Sequence, residues 1–165
     1  MHFLRIRSGG QSGVDRAALD YAVRHNLQYV GWCPRGGWAE DFTTPPGLLV
    51  RFPHMIETPS AETWQRTAWN VRDSHATLIL LRGENIKSEG TLFTRRCAEL
   101  VFMRPCLVVQ LGEHSNSQTV NRWLAQVRGT FNDDDFVLNI AGPRESEAPG
   151  IYDDASTLLE SLPLP

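Results

Sequence analysis

The chain reads as one α/β domain over residues 1–165, a Rossmann-like three-layer sandwich with a mainly parallel sheet of about five strands. Three observations predict it. Five short apolar runs alternate with stretches of helical periodicity, the pattern of βαβ units. Two of the runs, 76–81 and 106–111, are apolar almost throughout, as strands covered on both faces require. The first run turns through a glycine-rich loop directly into a helical pattern.

The first strand, 3–6, meets the turn Arg7-Ser8-Gly9-Gly10-Gln11-Ser12-Gly13-Val14-Asp15. Its glycines allow positive φ and close backbone approach, and the first N–H groups of the following helix carry partial positive charge, which outlines an anion site. The spacing is neither GxGxxG nor a Walker A loop, so a phosphate cradle and a purely structural turn both remain open. Ser12 and Asp15 also fit a capping box, which needs no ligand. Val14, Ala17, Ala18, Tyr21, Ala22 and His25 then share one helix face.

A second strand, 29–32, leads into Cys33-Pro34-Arg35-Gly36-Gly37-Trp38-Ala39-Glu40-Asp41 and a proline-rich stretch at 43–46. A connection this long without periodicity reads as a lid or binding loop. Residues 48–52 suggest a minor edge strand. Thr58-Pro59-Ser60 is expected to cap the second helix, with Ala61, Trp64, Ala68 and Val71 as its buried stripe. Asn70, Arg72 and Asp73 close it; the last two either face a ligand or form a salt-bridged helix end. The strand 76–81 follows, expected at the centre of the sheet.

Residues 82–91 form a second glycine-bearing loop into a helix, with Phe93, Cys97, Leu100 and Val101 inward and Pro105 as its stop. Gly90 and Thr91 offer an anion a backbone N–H and a hydroxyl, or the helix is simply capped by Ser88 or Thr91. Strand 106–111 buries Cys106 as a small hydrophobe. Val120, Trp123, Leu124 and Val127 mark a fourth helix, 132–135 an acidic turn without EF-hand spacing, and 136–141 the last strand. Gly142-Pro143-Arg144-Glu145-Ser146 brings Arg144 to the same sheet edge, and Ile151, Ala155, Leu158, Leu159 and Leu162 form the closing helix. Ligands of such sheets bind beyond the strand C-termini, where these loops converge.

Net charge is −3, which argues against nucleic-acid and acidic-membrane partners, both of which need a basic field. Fifteen of the sixteen cations are Arg, a bias that suits planar anion recognition and that codon usage explains equally well. Three cysteines form no CxxC pair, no apolar leader precedes Gly10, and no run is long enough to span a bilayer, so a cytoplasmic protein with reduced thiols is expected. His54, His75 and His114 are scattered, without metal-ligand spacing.

The combination of 8–20 (Ser-Gly-Gly-Gln-Ser-Gly-Val-Asp-Arg-Ala-Ala-Leu-Asp), 69–74 (Trp-Asn-Val-Arg-Asp-Ser), 76–79, Gly90-Thr91 and 141–146 (Ala-Gly-Pro-Arg-Glu-Ser) resembles the molybdenum carrier proteins. These are a circularly permuted, YpsA-like SLOG branch of the Rossmann-like superfamily that includes lysine-decarboxylase-like nucleotide-binding proteins. The resemblance spans nearly the whole chain. It implies a homo-oligomer that stores or delivers the molybdenum cofactor, a pterin with a dithiolene-held metal and a terminal phosphate. On this reading Ser8, Gly9, Gly10, Gln11, Ser12 and Gly13, with Gly90 and Thr91, hold the phosphate. Arg144, joined by Arg35 or Arg72, adds bidentate bonds, and Asp41, Asn70 or Asp73 faces the pterin edge. The related phosphoribohydrolases carry a doubled glycine before Gly-Thr and a glutamate soon after. Here Ser88-Glu89-Gly90-Thr91 lacks both, which counts against nucleotide hydrolysis. The alternative is a nucleotide-derivative hydrolase using Glu40, Asp41 or Glu89 as acid or base.

Overall fold

The computed structural model describes residues 3–83, 88–112, 116–131 and 135–164. The elements are β1 (Phe3–Arg7), α1 (Val14–Arg24), β2 (Gln28–Cys33), a 3-10 turn (Gly47–Val50), β3 (Met55–Glu57), α2 (Thr63–Arg72), β4 (Ala76–Leu81), α3 (Glu89–Arg96) running into a π-helical turn (Cys97–Val101), β5 (Cys106–Gln110), α4 (Asn116–Arg128), β6 (Asp135–Ala141) and α5 (Ile151–Glu160). The strands form one sheet in the order β3-β2-β1-β6-β4-β5, and every pairing is parallel. The Rossmann-like class holds, with six strands instead of about five. The acidic turn at 132–134, His114, and residues 84–87 of the second glycine loop lie outside the described residues.

Apolar patterning sets the layers. β4 is buried at every position, as a run apolar but for Thr77 requires. Buried side chains of α1, α4 and α5 join those of the strands in one core that includes Leu19, Leu124, Leu159, Leu80 and Leu138. On the other face α2 and α3 enclose a smaller cluster of Val71, Cys97 and Ala98. Right-handed crossovers account for both placements: β1 to β2 and β5 to β6 step one way along the sheet, while β3 to β4 and β4 to β5 step the other.

Three local expectations are corrected. The edge strand is Met55–Glu57, paired with β2 from Gly31 to Cys33, and not 48–52. Gly47 at φ 59° breaks the extended chain, and Leu48 and Phe52, both essentially buried, point inward from a helical turn. α2 starts at Thr63 with Glu62 at its N-cap and no side-chain cap, so Thr58 to Ser60 lie before it and Trp64 stays 56% exposed. At the end of α3 the N–H of Phe102 bonds the carbonyl of Cys97, five residues back. That wider turn rotates the face: Cys97 and Ala98 go inward, and Leu100 and Val101 are left exposed.

The chain leaves β1 towards β2 on one side and β4 towards β5 on the other, with β6 between. This is the topological switch point of the sheet, where a crevice opens beyond the strand ends.

Candidate functional site

Loops from the ends of β1, β4 and β6 and the first turns of α2 meet at that crevice. Gln11, Arg66, Thr67, Ser88, Gly90, Thr91, Gly142, Arg144 and Glu147 line a narrow cleft of about 40 Å³. The glycine loop, the start of α3 and Arg144 therefore lie on one rim, as the sequence predicts.

The glycine loop is shaped by its own side chains. Gly10 and Gly13 both sit at φ 74°, a conformation few L side chains adopt. The Gly10 N–H donates to Ser8 Oγ (3.5 Å), the Gln11 N–H to Asp15 Oδ2 (3.4 Å) and the Ser12 N–H to Gln11 Oε1 (3.0 Å). The expected capping box does not form: Gly13 is the N-cap of α1 with no side-chain bond, because Asp15 reaches back to Gln11 and across to Arg66.

Arg66 is the residue that sequence reasoning missed. It lies one helical turn into α2, its side chain only 14% exposed, with Nη1 at 3.2 Å from Asp15 Oδ2. Its Nε is buried and has no hydrogen-bond partner among the described residues. Burial pushes the Asp15 carboxyl above its usual value, against the pull of Arg66 and the Gln11 N–H. On a helix surface an Arg beside Gln65 and Thr67 looks like a solvated face; only the fold brings it to Asp15.

Arg144 stands opposite, half exposed, with Nε at 3.4 Å from Glu147 Oε1. Among the described residues Gly90 has nothing within 4 Å of where a Cβ would stand. Thr91 is less free. Its N–H and hydroxyl both reach Ser88 Oγ, at 3.3 and 2.9 Å, which makes Ser88 the cap of α3.

The long loop after β2 is clamped onto this rim. Glu40 accepts from Ser12 Oγ and from Ser146, whose Oγ lies 2.5 Å away, while its own N–H donates to Gln11 Oε1. Burial alone would raise the Glu40 pKa, but the Ser12 and Ser146 hydrogen bonds outweigh it and hold the carboxylate below its ordinary value. Asp41, itself exposed, pairs with both terminal nitrogens of buried Arg16, at 2.7 and 2.9 Å, and this pairing outweighs its partial desolvation and lowers its pKa. Arg16 also donates to the Gly10 carbonyl at 3.1 Å. This pair borders a second cleft of about 270 Å³, shared with Asp20, Arg51, Glu145 and Tyr152.

The remaining sequence candidates are engaged elsewhere. Asn70 grips the backbone of Trp32 by both ends, Oδ1 accepting its N–H at 2.8 Å and Nδ2 donating to its carbonyl at 2.9 Å. Pairing of β1 with β2 stops at Arg7 and Val30, so the amide serves Trp32 where β1 has turned away. Asp73 accepts from Trp32 Nε1 and from Arg72, both at 2.7 Å, the salt-bridged helix end that the sequence allowed. Arg35 is exposed at the start of the long loop, its N–H on the Ser60 carbonyl. Cys33 is buried, whereas Cys106, expected to be buried, is only half-buried on the edge strand β5; desolvation raises both thiols to about 11. Among the described residues no group of three or more His, Cys, Asp or Glu could hold a metal, and no helix is long and apolar enough to cross a membrane.

A parallel sheet whose switch-point loops enclose a cleft walled by two arginines defines a Rossmann-like protein of the ligand-crevice type. The chain belongs to the circularly permutated YpsA SLOG family, whose sequence profile matches residues 6–163. A crystal structure described as "Putative molybdenum carrier protein" from Syntrophus aciditrophicus SB is 34% identical, superposes with a TM-score of 0.83, and covers 98% of this chain and 96% of its own. Among curated proteins no match is found.

Proposed function

We propose that the protein binds and carries a small phosphate-bearing heterocycle, with the molybdenum cofactor as its cargo and the anionic end in the cleft between Arg66, Arg144 and the start of α3. Arg66 carries this reading: it stands on the wall of a cleft at the sheet's switch point, and its buried Nε is a donor without an acceptor among the described residues. An unmatched buried donor costs about 1–3 kcal/mol, and an oxyanion in the cleft supplies the acceptor. Arg144 adds a second guanidinium, and the first turn of α3 adds oriented N–H groups.

Volume decides which part of the cargo the cleft takes. About 40 Å³ is room for a few water-sized groups, enough for an oxyanion and too little for a pterin, which stays outside the cleft. The name given to the Syntrophus protein supports the molybdenum cofactor over a nucleotide. Nucleotide hydrolysis has less support, since the carboxylate oxygens of Glu40 and Asp41 are already engaged by Ser12, Ser146 and Arg16, and Glu89 is exposed on the first turn of α3.

Native mass spectrometry and absorbance of the protein purified from cells test the proposal. A bound pterin with a phosphate is the expected result; a nucleoside phosphate alone would replace this reading with the alternative.

A further inference from the structure

Resting on that reading, we infer that Glu147 is a built-in competitor for the anion at Arg144, and that it restricts the cleft to tetrahedral dianions. Glu147 lies on the same short loop as Arg144 and lines the same cleft. Its Oε1 stands 3.4 Å from Arg144 Nε, and its Oε2 accepts the Arg144 N–H at 3.2 Å. Both contacts are long for charge-assisted bonds, which run near 2.7–2.9 Å. The other arginine pairs at the two clefts are shorter: Arg16 on Asp41 and Arg51 on Asp20 each measure 2.7 Å, and Arg66 on Asp15, more deeply buried, 3.2 Å. The Glu147 contact is thus a loose one that an incoming ligand can exchange.

Among the described residues Glu147 is also the one carboxylate that lines the cleft; Gln11, Thr67, Ser88 and Thr91 supply neutral polar groups. An anion entering so small a space meets the carboxylate at short range unless it takes Arg144 and turns Glu147 outward. For a monocarboxylate that exchange swaps one carboxylate for another and gains nothing. A tetrahedral dianion has charge and oxygens enough to engage the Arg144 and Arg66 guanidinium groups that line the cleft together, so it outcompetes Glu147. The side chain acts as a placeholder that keeps Arg144 paired and turns away singly charged acids.

The test is calorimetric titration of the full chain with inorganic phosphate and, separately, acetate, near pH 8 at fixed ionic strength. It compares wild type, Glu147→Gln and Glu99→Gln. Glu99 pairs with Arg95 on the exposed side of α3 and controls for the change in net charge. Glu147→Gln keeps an oxygen to accept the Arg144 N–H, and an unchanged melting curve verifies its fold. Phosphate binding about three- to fivefold tighter in Glu147→Gln, with Glu99→Gln like wild type and acetate binding only to Glu147→Gln, is the expected result. Phosphate bound equally by wild type and Glu147→Gln overturns the inference and leaves the carrier reading standing. Phosphate bound by none of the three overturns both.

Discussion

Arg66 on α2 and Asp15 on α1 face each other across the glycine turn, Nη1 to Oδ2 at 3.2 Å, with the Asp15 side chain 5% exposed. Asp15 also takes the Gln11 N–H, so one carboxylate fixes the loop and aims an arginine at the cleft. Removing one partner of a buried pair strands the other, so Asp15→Ala should lose about 3–5 kcal/mol in urea unfolding. A loss below 1 kcal/mol would mean that the pair does not organise the loop.

Acid stability should follow the carboxylates that the fold depresses. Asp41, Asp73 and Glu40 have folded-state values below their ordinary 3.8, 3.8 and 4.5, so their contribution is complete above those values and is lost as pH falls through the lower folded ones. Asp15 runs the other way: its raised value makes the fold take up a proton more readily than the unfolded chain, a contribution present below 3.8 and lost as pH rises through the folded value. Melting temperature measured from about pH 7 downward should therefore drop below pH 4.5, and Asp41→Asn should flatten that drop.

Asn70 separates a structural from a ligand-binding role. Its amide donates to one backbone atom of Trp32 and accepts from the other, so Asn70→Asp loses the donor and sets a carboxylate against a carbonyl. A destabilisation of about 1–3 kcal/mol is expected, with anion binding in the surviving fold unchanged. Unaltered stability with lost binding would restore Asn70 to the site.

The glycines of the rim are not equivalent. A Cβ on Gly142 would overlap Val14 and the Leu80 carbonyl, where β6 passes beneath α1, whereas none of the described residues comes within 4 Å of one on Gly90. Gly142→Ala should cost about 1–3 kcal/mol, and Gly90→Ala should gain up to about 1 kcal/mol of helix propensity. Chemical denaturation of the two variants side by side checks both signs.

What could be read from the chain followed the length of each signal. The six-residue run of β4, apolar but for Thr77, and the helical spacing of Val14, Ala17, Ala18 and Tyr21 are long enough to outweigh local noise, and the structure has both. β3 is three residues with only Met55 buried, too short for any period to register. Leu48 and Phe52 gave no discrimination, since residues four apart share one face in a strand and in a helical turn alike. The inward face predicted for α3 drifted where the π turn at Cys97 inserts an extra residue into the count. The convergence of the glycine loop, through Gln11, with Gly90 and Arg144 followed from strand direction alone, because parallel strands bring their exits to one edge. Arg66 stayed hidden: its partner lies 51 residues earlier, and no local pattern marks an arginine that the fold buries.

The claim that an anionic ligand end occupies the switch-point cleft is tested most directly by titrating isolated molybdenum cofactor into wild type, Arg144→Gln and Arg35→Gln. Arg144 lines the cleft, whereas Arg35 is exposed on the long loop. Loss of a charge-assisted contact predicts affinity about tenfold or more weaker in Arg144→Gln and unchanged in Arg35→Gln. Equal affinity of Arg144→Gln and wild type, or a loss confined to Arg35→Gln, would contradict it.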